Sequence, residues 1–174
     1  WDEILERLEE HASEKSMNWI CGYGWDQNDW PVKEYPDRDS LDSLFPDVPI
    51  YLTRIDQHAA VCNGKALQIA GINAETEVAG GQIILQNGEP SGVLIDNAMN
   101  LVKKHIPELS EEQMKEALAH AEKYCLERGL TGVVEAGLEK PLLDLLKKMY
   151  SKETLSVWMH AMILPTDENI EAYM

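Results

Sequence analysis

Basic residues are scarce in this chain of 174 amino acids: fifteen Lys and Arg stand against 31 Asp and Glu, a formal net charge of −16. A surface that negative repels phosphate backbones and anionic headgroups, which argues against nucleic-acid and membrane partners. Long apolar runs are missing as well. None approaches the roughly 18 residues of a membrane span, and no basic segment followed by an apolar stretch opens the chain. Cys21, Cys62 and Cys125 are odd in number, far apart and outside any CxxC. They predict neither a disulfide framework nor a structural zinc site, and they fit a reduced, cytoplasmic setting. HxH, HExxH, GxSxG, P-loop and GxGxxG patterns do not occur, so these residues encode no self-contained metal site and no complete hydrolase centre.

What is present is a globular composition, 44% hydrophobic and 26% charged, with enough length for one medium domain or two small ones. Ile4, Leu5, Leu8 and Ala12 share one face of a helix expected over residues 2–15. Residues 18–23 read as a strand, and 25–49 as a proline- and aspartate-rich loop with a short helix at 40–45. Residues 50–55 form a clear β-branched and aromatic strand, and 63–70 a helix stopped by Gly71. The best hairpin signal pairs 81–85 with 92–95 around Asn87-Gly88. A helical pattern follows at 97–104, and the capping box Ser110-Glu111-Glu112-Gln113 opens a helix to Arg128. A strand at 130–135, a helix at 141–150, a strand at 155–164 and a further helix start then give a βαβα order, the pattern of parallel strands with right-handed crossovers.

The first pattern begins at Trp1. The last begins at Thr166-Asp167-Glu168 and places Ile170 and Met174 four residues apart. Helices met at both ends, each lacking a surface to pack on, point to a piece of a longer protein.

Among ionisable residues His58 stands out, since it follows the strand at 50–55 in Asp56-Gln57-His58, before the helix at 63–70. Strand ends leading into helices are where α/β proteins place ligand groups; the plainer alternative is a histidine bonded to Asp56 or to a backbone carbonyl. Glu135, at the carboxyl end of its strand, suits metal binding, proton transfer or holding an amine, or is a solvated acid. Trp25 and Asp26 open a Trp25-Asp26-Gln27-Asn28-Asp29-Trp30 cluster that either lines a pocket or anchors its loop. Asn63 either points into the same pocket or caps its helix. His160 reads as a satisfied core histidine with a barrel interior as the alternative; His11, His105 and His120 read as surface residues.

These segments fall in a familiar order. Trp19-Ile20-Cys21-Gly22-Tyr23-Gly24-Trp25-Asp26, ending at Trp30, resembles the WIxGxGWDxxxW segment of amidohydrolase family 3, the YtcJ-like metal-dependent hydrolases. Leu52-Thr53-Arg54-Ile55-Asp56-Gln57-His58 with Asn63 and Ala66-Leu67 is similar to that family's LTRxDxHxxxxNxxAL. Gly80-Gly81-Gln82-Ile83 with Gly88, Pro90 and Gly92-Val93-Leu94 resembles GGxIxxxxGxPxGxL, and residues 129–137 resemble GITSVHDAG. Val134 and Glu135 depart from the His-Asp of that last motif, and Gln57 stands where Gly or Ser is common.

The resemblance implies a fragment of a (β/α)8 barrel: 1–17 a helix of the barrel region, 18–105 an inserted α+β segment beside the active site, and 106–174 early βα units. It implies metal-activated hydrolysis of an amide or related C–N bond, with a divalent metal such as zinc in the full-length parent and none expected in this piece. His58, Trp25, Asp26, Asp56 and Asn63 would hold a small-molecule substrate, with Glu135 at the rim and no catalytic residue within the chain. The piece alone is expected to be inactive and to self-associate through unpaired strand edges. The rival reading is a non-catalytic binding or regulatory protein on the same fold.

Overall fold

The computed structural model describes residues 1–14 and 18–173; the expected helix end at Lys15, the 1–17 boundary and the Ile170–Met174 spacing fall outside them. The chain forms two compact units, Trp1–Pro107 and Glu108–Met174.

The first unit is built on a five-stranded mixed sheet in the order β1-β2-β3-β5-β4. β1 (Ile20–Trp25) runs parallel to β2 (Ile50–Arg54); β3 (Ala59–Cys62), β5 (Glu89–Asp96) and β4 (Gly81–Gln86) join antiparallel. Side chains alternate across a strand, and here both faces are buried. Ile50, Leu52, Val61 and Val93 pack on one side with Leu8 of α1 (Asp2–Glu14) and Leu41 of α2 (Asp39–Leu44). Tyr51, Ala60, Cys62 and Leu94 pack on the other with Leu67 of α3 (Gly64–Ala70) and Val102 of α4 (Met99–Lys103). Thus α1, assigned from sequence to a barrel region, covers the sheet of this unit. Burial pushes the Cys62 thiol far above the usual range.

β3 is a strand that the sequence pattern does not reveal. Ala-Ala-Val-Cys is short and buried along its whole length, so it shows no alternation, and it separates His58 from the helix expected directly after it. The hairpin between β4 and β5 does follow its signal: Asn87 and Gly88 both have positive φ, 54° and 84°, the backbone a type I′ turn requires.

At the end of the sheet where β2 begins and β3 finishes, Asn63 fastens three segments together. Its Oδ1 accepts from the Ile50 and Ala66 N–H groups at 2.9 and 3.1 Å, and its Nδ2 donates to the Phe45 and Val48 carbonyls at 2.9 Å each. It therefore starts β2, caps α3 and holds the loop between.

The second unit is a βαβ unit with flanking helices. β6 (Gly132–Leu138) and β7 (Trp158–Ile163) run parallel, joined through α6 (Lys140–Ser151), with α5 (Glu111–Glu127) before them and α7 (Asp167–Tyr173) after. The capping box at Ser110 and Gln113 forms as its pattern predicts. Leu138, Leu143, Leu146 and Met149 make the core, with Leu118, Met159 and Ala161 against it. The other face, bearing Val134, Trp158, His160 and Met162, is exposed, so His160 is not the core histidine expected; its ring lies 6.1 Å from that of Trp158.

β6 also runs three residues beyond the expected end at Glu135. Gly137 lies inside the strand, where a Cβ would come within 2.7 Å of the Leu164 side chain. The start of β7 is tied to α5 by the Glu122 carboxylate, whose Oε1 accepts from the Ser156 N–H, the Val157 N–H at 2.9 Å and the Ser156 hydroxyl at 3.1 Å.

Two outcomes are expected. Asn63→Ala removes a cap and leaves buried backbone groups unpaired, and should cost about 3 kcal/mol of unit 1 stability in denaturant unfolding followed through a unit 1 probe. The Ser156 and Val157 N–H groups hold the Glu122 carboxyl below the usual carboxylate range. Its contribution is therefore complete above the unfolded carboxylate value and lost as pH falls through the folded one. Thermal melts of unit 2 between neutral and acid pH should show a shallower acid-side decline in Glu122→Gln.

Candidate functional site

Because β1 and β2 are parallel, their carboxyl ends lie at the same end of the sheet, where β3 begins and β5 finishes. The interior admits no charge, so polar side chains collect there. Trp25 closes β1. It is buried, donates from Nε1 to the Leu52 carbonyl at 2.8 Å, and stacks on Trp30 with ring centroids 6.0 Å apart. With Ile4, Leu8, Ile20 and Leu52 it lines a cleft of about 340 Å³. Anchoring and pocket-lining, posed as alternatives for the tryptophan cluster, are both served by this one side chain.

Asp26 starts the 3-10 turn Gln27–Asp29, its Oδ1 accepting from the backbone N–H and the side-chain Nδ2 of Asn28, each at 2.9 Å. The same oxygen accepts from Nη2 of Arg54 at 2.8 Å. The Asn28 N–H, followed by the Arg54 guanidinium, holds the Asp26 carboxyl below its ordinary value. Arg54, the last residue of β2, donates from Nε to Gln27 Oε1 at 2.8 Å and from Nη1 to Asp56 Oδ2. Asp56 in turn accepts from the His58 N–H through Oδ1 at 3.1 Å, closing a tight turn in which Gln57 has φ 64°.

The His58 ring pairs elsewhere than with Asp56. Its Nδ1 donates to Asp96 Oδ1 at 2.7 Å, while the Asp96 N–H donates back to the His58 carbonyl at 3.0 Å. The carboxylate accepts only, so the Nδ1 proton is fixed and Nε2 is left toward solvent; the His58 side chain is 75% exposed. The hydrogen bond to Asp96 and the charge of Asp96, with a smaller contribution from Asp56, raise the His58 pKa above its usual value.

Trp25, Asp26, Asp56 and His58 are thus brought together. Asn63 is not among them: its amide spends both donors and both acceptor positions on backbone groups and has none left for a ligand. Glu135 belongs to the other unit, exposed and within β6 rather than at its end, in register with Ala161. Arg54 and Asp96 join the site without having been singled out from sequence. Arg54 is visible only as part of the LTRxDxH pattern, and no sequence signal links Asp96 to a residue 38 positions earlier. Among the described residues no group of three or more His, Cys, Asp or Glu is arranged to hold a metal ion, and no helix is long and apolar enough to cross a membrane.

Removing the Asp96 charge tests the pair directly. A raised folded value means that the pairing stabilises the fold below the unfolded imidazole pKa and fades as pH rises through the folded one. In Asp96→Asn the His58 midpoint, followed by NMR of the ring Cε1–H, is expected to fall toward that of a free imidazole; an unchanged midpoint would show that the pairing is not formed.

Comparison with known proteins places this geometry in context. A sequence model described as "Amidohydrolase family" matches residues 1–172. YtcJ of Bacillus subtilis, which bears an amidohydrolase name, is 41% identical over 134 residues, 75% of this chain and 25% of that protein. The N-substituted formamide deformylase of Arthrobacter pascens is 32% identical over 142 residues, 78% of this chain and 26% of its own. The crystal structure of an uncharacterized metal-dependent hydrolase from Pyrococcus horikoshii superposes with a TM-score of 0.61 at 23% identity, covering 91% of this chain and 31% of that one. This chain spans about a quarter of the length of the curated relatives it matches.

Proposed function

The chain belongs to the amidohydrolase family, and from that premise we propose that it is part of a metal-dependent hydrolase that cleaves an amide or related C–N bond in a small molecule. The observation that carries the reading is the convergence of Asp26, Arg54, Asp56, His58 and Asp96 at one end of the sheet, with Trp25, the residue before Asp26, lining a cleft of its own. Such a set holds and orients a polar substrate: the indole supplies an apolar surface, and the His58 Nε2, with its tautomer fixed by Asp96, meets a polar group of the substrate.

When bound in the whole protein, a divalent metal such as zinc supplies activated water and polarises the scissile carbonyl. The parallel βαβ order of the second unit is consistent with a fragment of a (β/α)8 barrel, and we read the first unit as a segment inserted in the sequence of that barrel. The N-substituted amide class, suggested by the formamide deformylase among its relatives, is the substrate class to try first.

The test uses the whole protein that carries this segment. Near-stoichiometric divalent metal, hydrolysis of an N-substituted formamide or amide panel, and a drop in kcat/KM of about 10- to 100-fold in His58→Ala are expected, on the scale of one positioning contact. A metal-free and inactive parent would favour the non-catalytic binding reading. For the 174-residue chain alone, the uncovered face of Val134, Trp158 and Met162 predicts self-association. Sedimentation that stays monomeric across a wide concentration range would overturn that expectation.

A further inference from the structure

The Arg54 side chain touches both loops of the candidate site. It is a strand-end residue whose side chain is only 13% exposed, yet its guanidinium uses three separate nitrogens on three separate residues: Nε on Gln27, Nη2 on Asp26 and Nη1 on Asp56. Two of those partners belong to the turn after β1 and one to the turn after β2. The backbone alone does not set this arrangement. Between the two loops it contributes the Ile55 N–H to the Trp25 carbonyl at 2.9 Å, and the Tyr23 hydroxyl adds a bond to the Ile55 carbonyl at 2.9 Å. Both bonds end at residue 55, before the turn that carries His58.

Beyond that point the Gln57 N–H closes the turn on the Arg54 carbonyl at 3.0 Å, the His58 carbonyl accepts from the Asp96 N–H at 3.0 Å, and Asp56 adds the side-chain link. One of its oxygens is held by Arg54 and the other receives the His58 N–H at 3.1 Å. The carboxylate is therefore a strut between the guanidinium and the histidine backbone. Gln57 sits between them at φ 64°, a backbone that a non-glycine residue holds only when its surroundings impose it.

We infer that Arg54 is the positioning residue of the candidate site, locking the turn 55–58 against the turn 26–29 and, through Asp56, setting the aim of the His58 ring on Asp96, which strand pairing already brings alongside. The inference rests on the reading of His58 as a substrate-facing group, and it names what aims that group. A planar fork with fixed donor directions is needed here. A lysine keeps the charge but presents a single point donor, which does not span Gln27, Asp26 and Asp56 together.

The two effects of removing Arg54 have opposite signs at His58, and this makes the role measurable. Loss of a nearby positive charge, acting through the field alone, raises the imidazole pKa. Loss of aim, which weakens the Asp96 pairing, lowers it. NMR titration of the His58 Cε1–H in the 174-residue chain reads the difference. In Arg54→Gln the midpoint is expected to fall by at least half of the downward shift that Asp96→Asn produces, and in Arg54→Lys to fall by a smaller amount.

A midpoint that rises in Arg54→Gln and stays put in Arg54→Lys would overturn the inference and leave Arg54 a structural ion-pair residue. Should Arg54→Gln fail to fold, Arg54→Lys carries the test, because an unmoved midpoint there is already enough to reject a positioning role. The readout involves no turnover. If the whole protein proves not to hydrolyse amides, that failure appears in the activity panel and leaves the titration result standing.

Discussion

The constraint on which the first unit depends is that its central strands are buried on both faces. Residues 50–52 of β2, all of β3 and the middle of β5 meet helices above and below and are buried, so a charge placed there would carry a large desolvation penalty. Polar chemistry is driven to the strand ends. At the end where β2 begins and β3 finishes, one neutral amide, Asn63, satisfies the backbone and uses up its own capacity. At the end where β1 and β2 finish, charged groups satisfy one another and leave an imidazole nitrogen over. The same strands thus have a closed end and an open end.

This division explains how the open end tolerates three carboxylates near one guanidinium. Asp26 and Asp56 are each paired with Arg54, and Asp96 is paired with His58. The charges alternate along a connected path rather than accumulating, which a chain with a net charge of −16 requires at any partly buried position. Neutralising a single member would leave a neighbour without its partner, so these residues are coupled and the effects of their substitutions are not additive.

Much of this fold can be read from local pattern, and what cannot shares a physical cause. Helices with capping signals, such as that opening at Ser110, and the hairpin at Asn87-Gly88 form where short-range chemistry places them, because caps and turns depend on residues within a few positions. β3 is hidden since a strand buried on both faces carries no period-2 alternation. Glu135 lies within β6, not at its end, because the strand continues to Leu138, past Gly137 where it passes close to the Leu164 side chain. His160 reads as a core residue from its strand pattern, but the face it shares with Trp158 is exposed. His58, Trp25, Asp26 and Asp56 were visible through their motifs. Arg54's reach and Asp96's partnership are products of strand pairing, which brings residue 58 beside residue 96, and no local signal encodes that.

Two-faced burial reaches the cysteines as well. The Cys62 thiol lies at the centre of the sheet with no exposed surface, whereas Cys21 is exposed and Cys125 partly so. Alkylating reagents and disulfides react with thiolate, and Cys62 can neither ionise nor be approached while β2 and β5 flank it. Its modification must wait for the sheet to open. The protein therefore carries an internal clock: in a mixture with a thiol reagent, the labelling of Cys62 lags behind the other two cysteines by the time that the first unit spends closed.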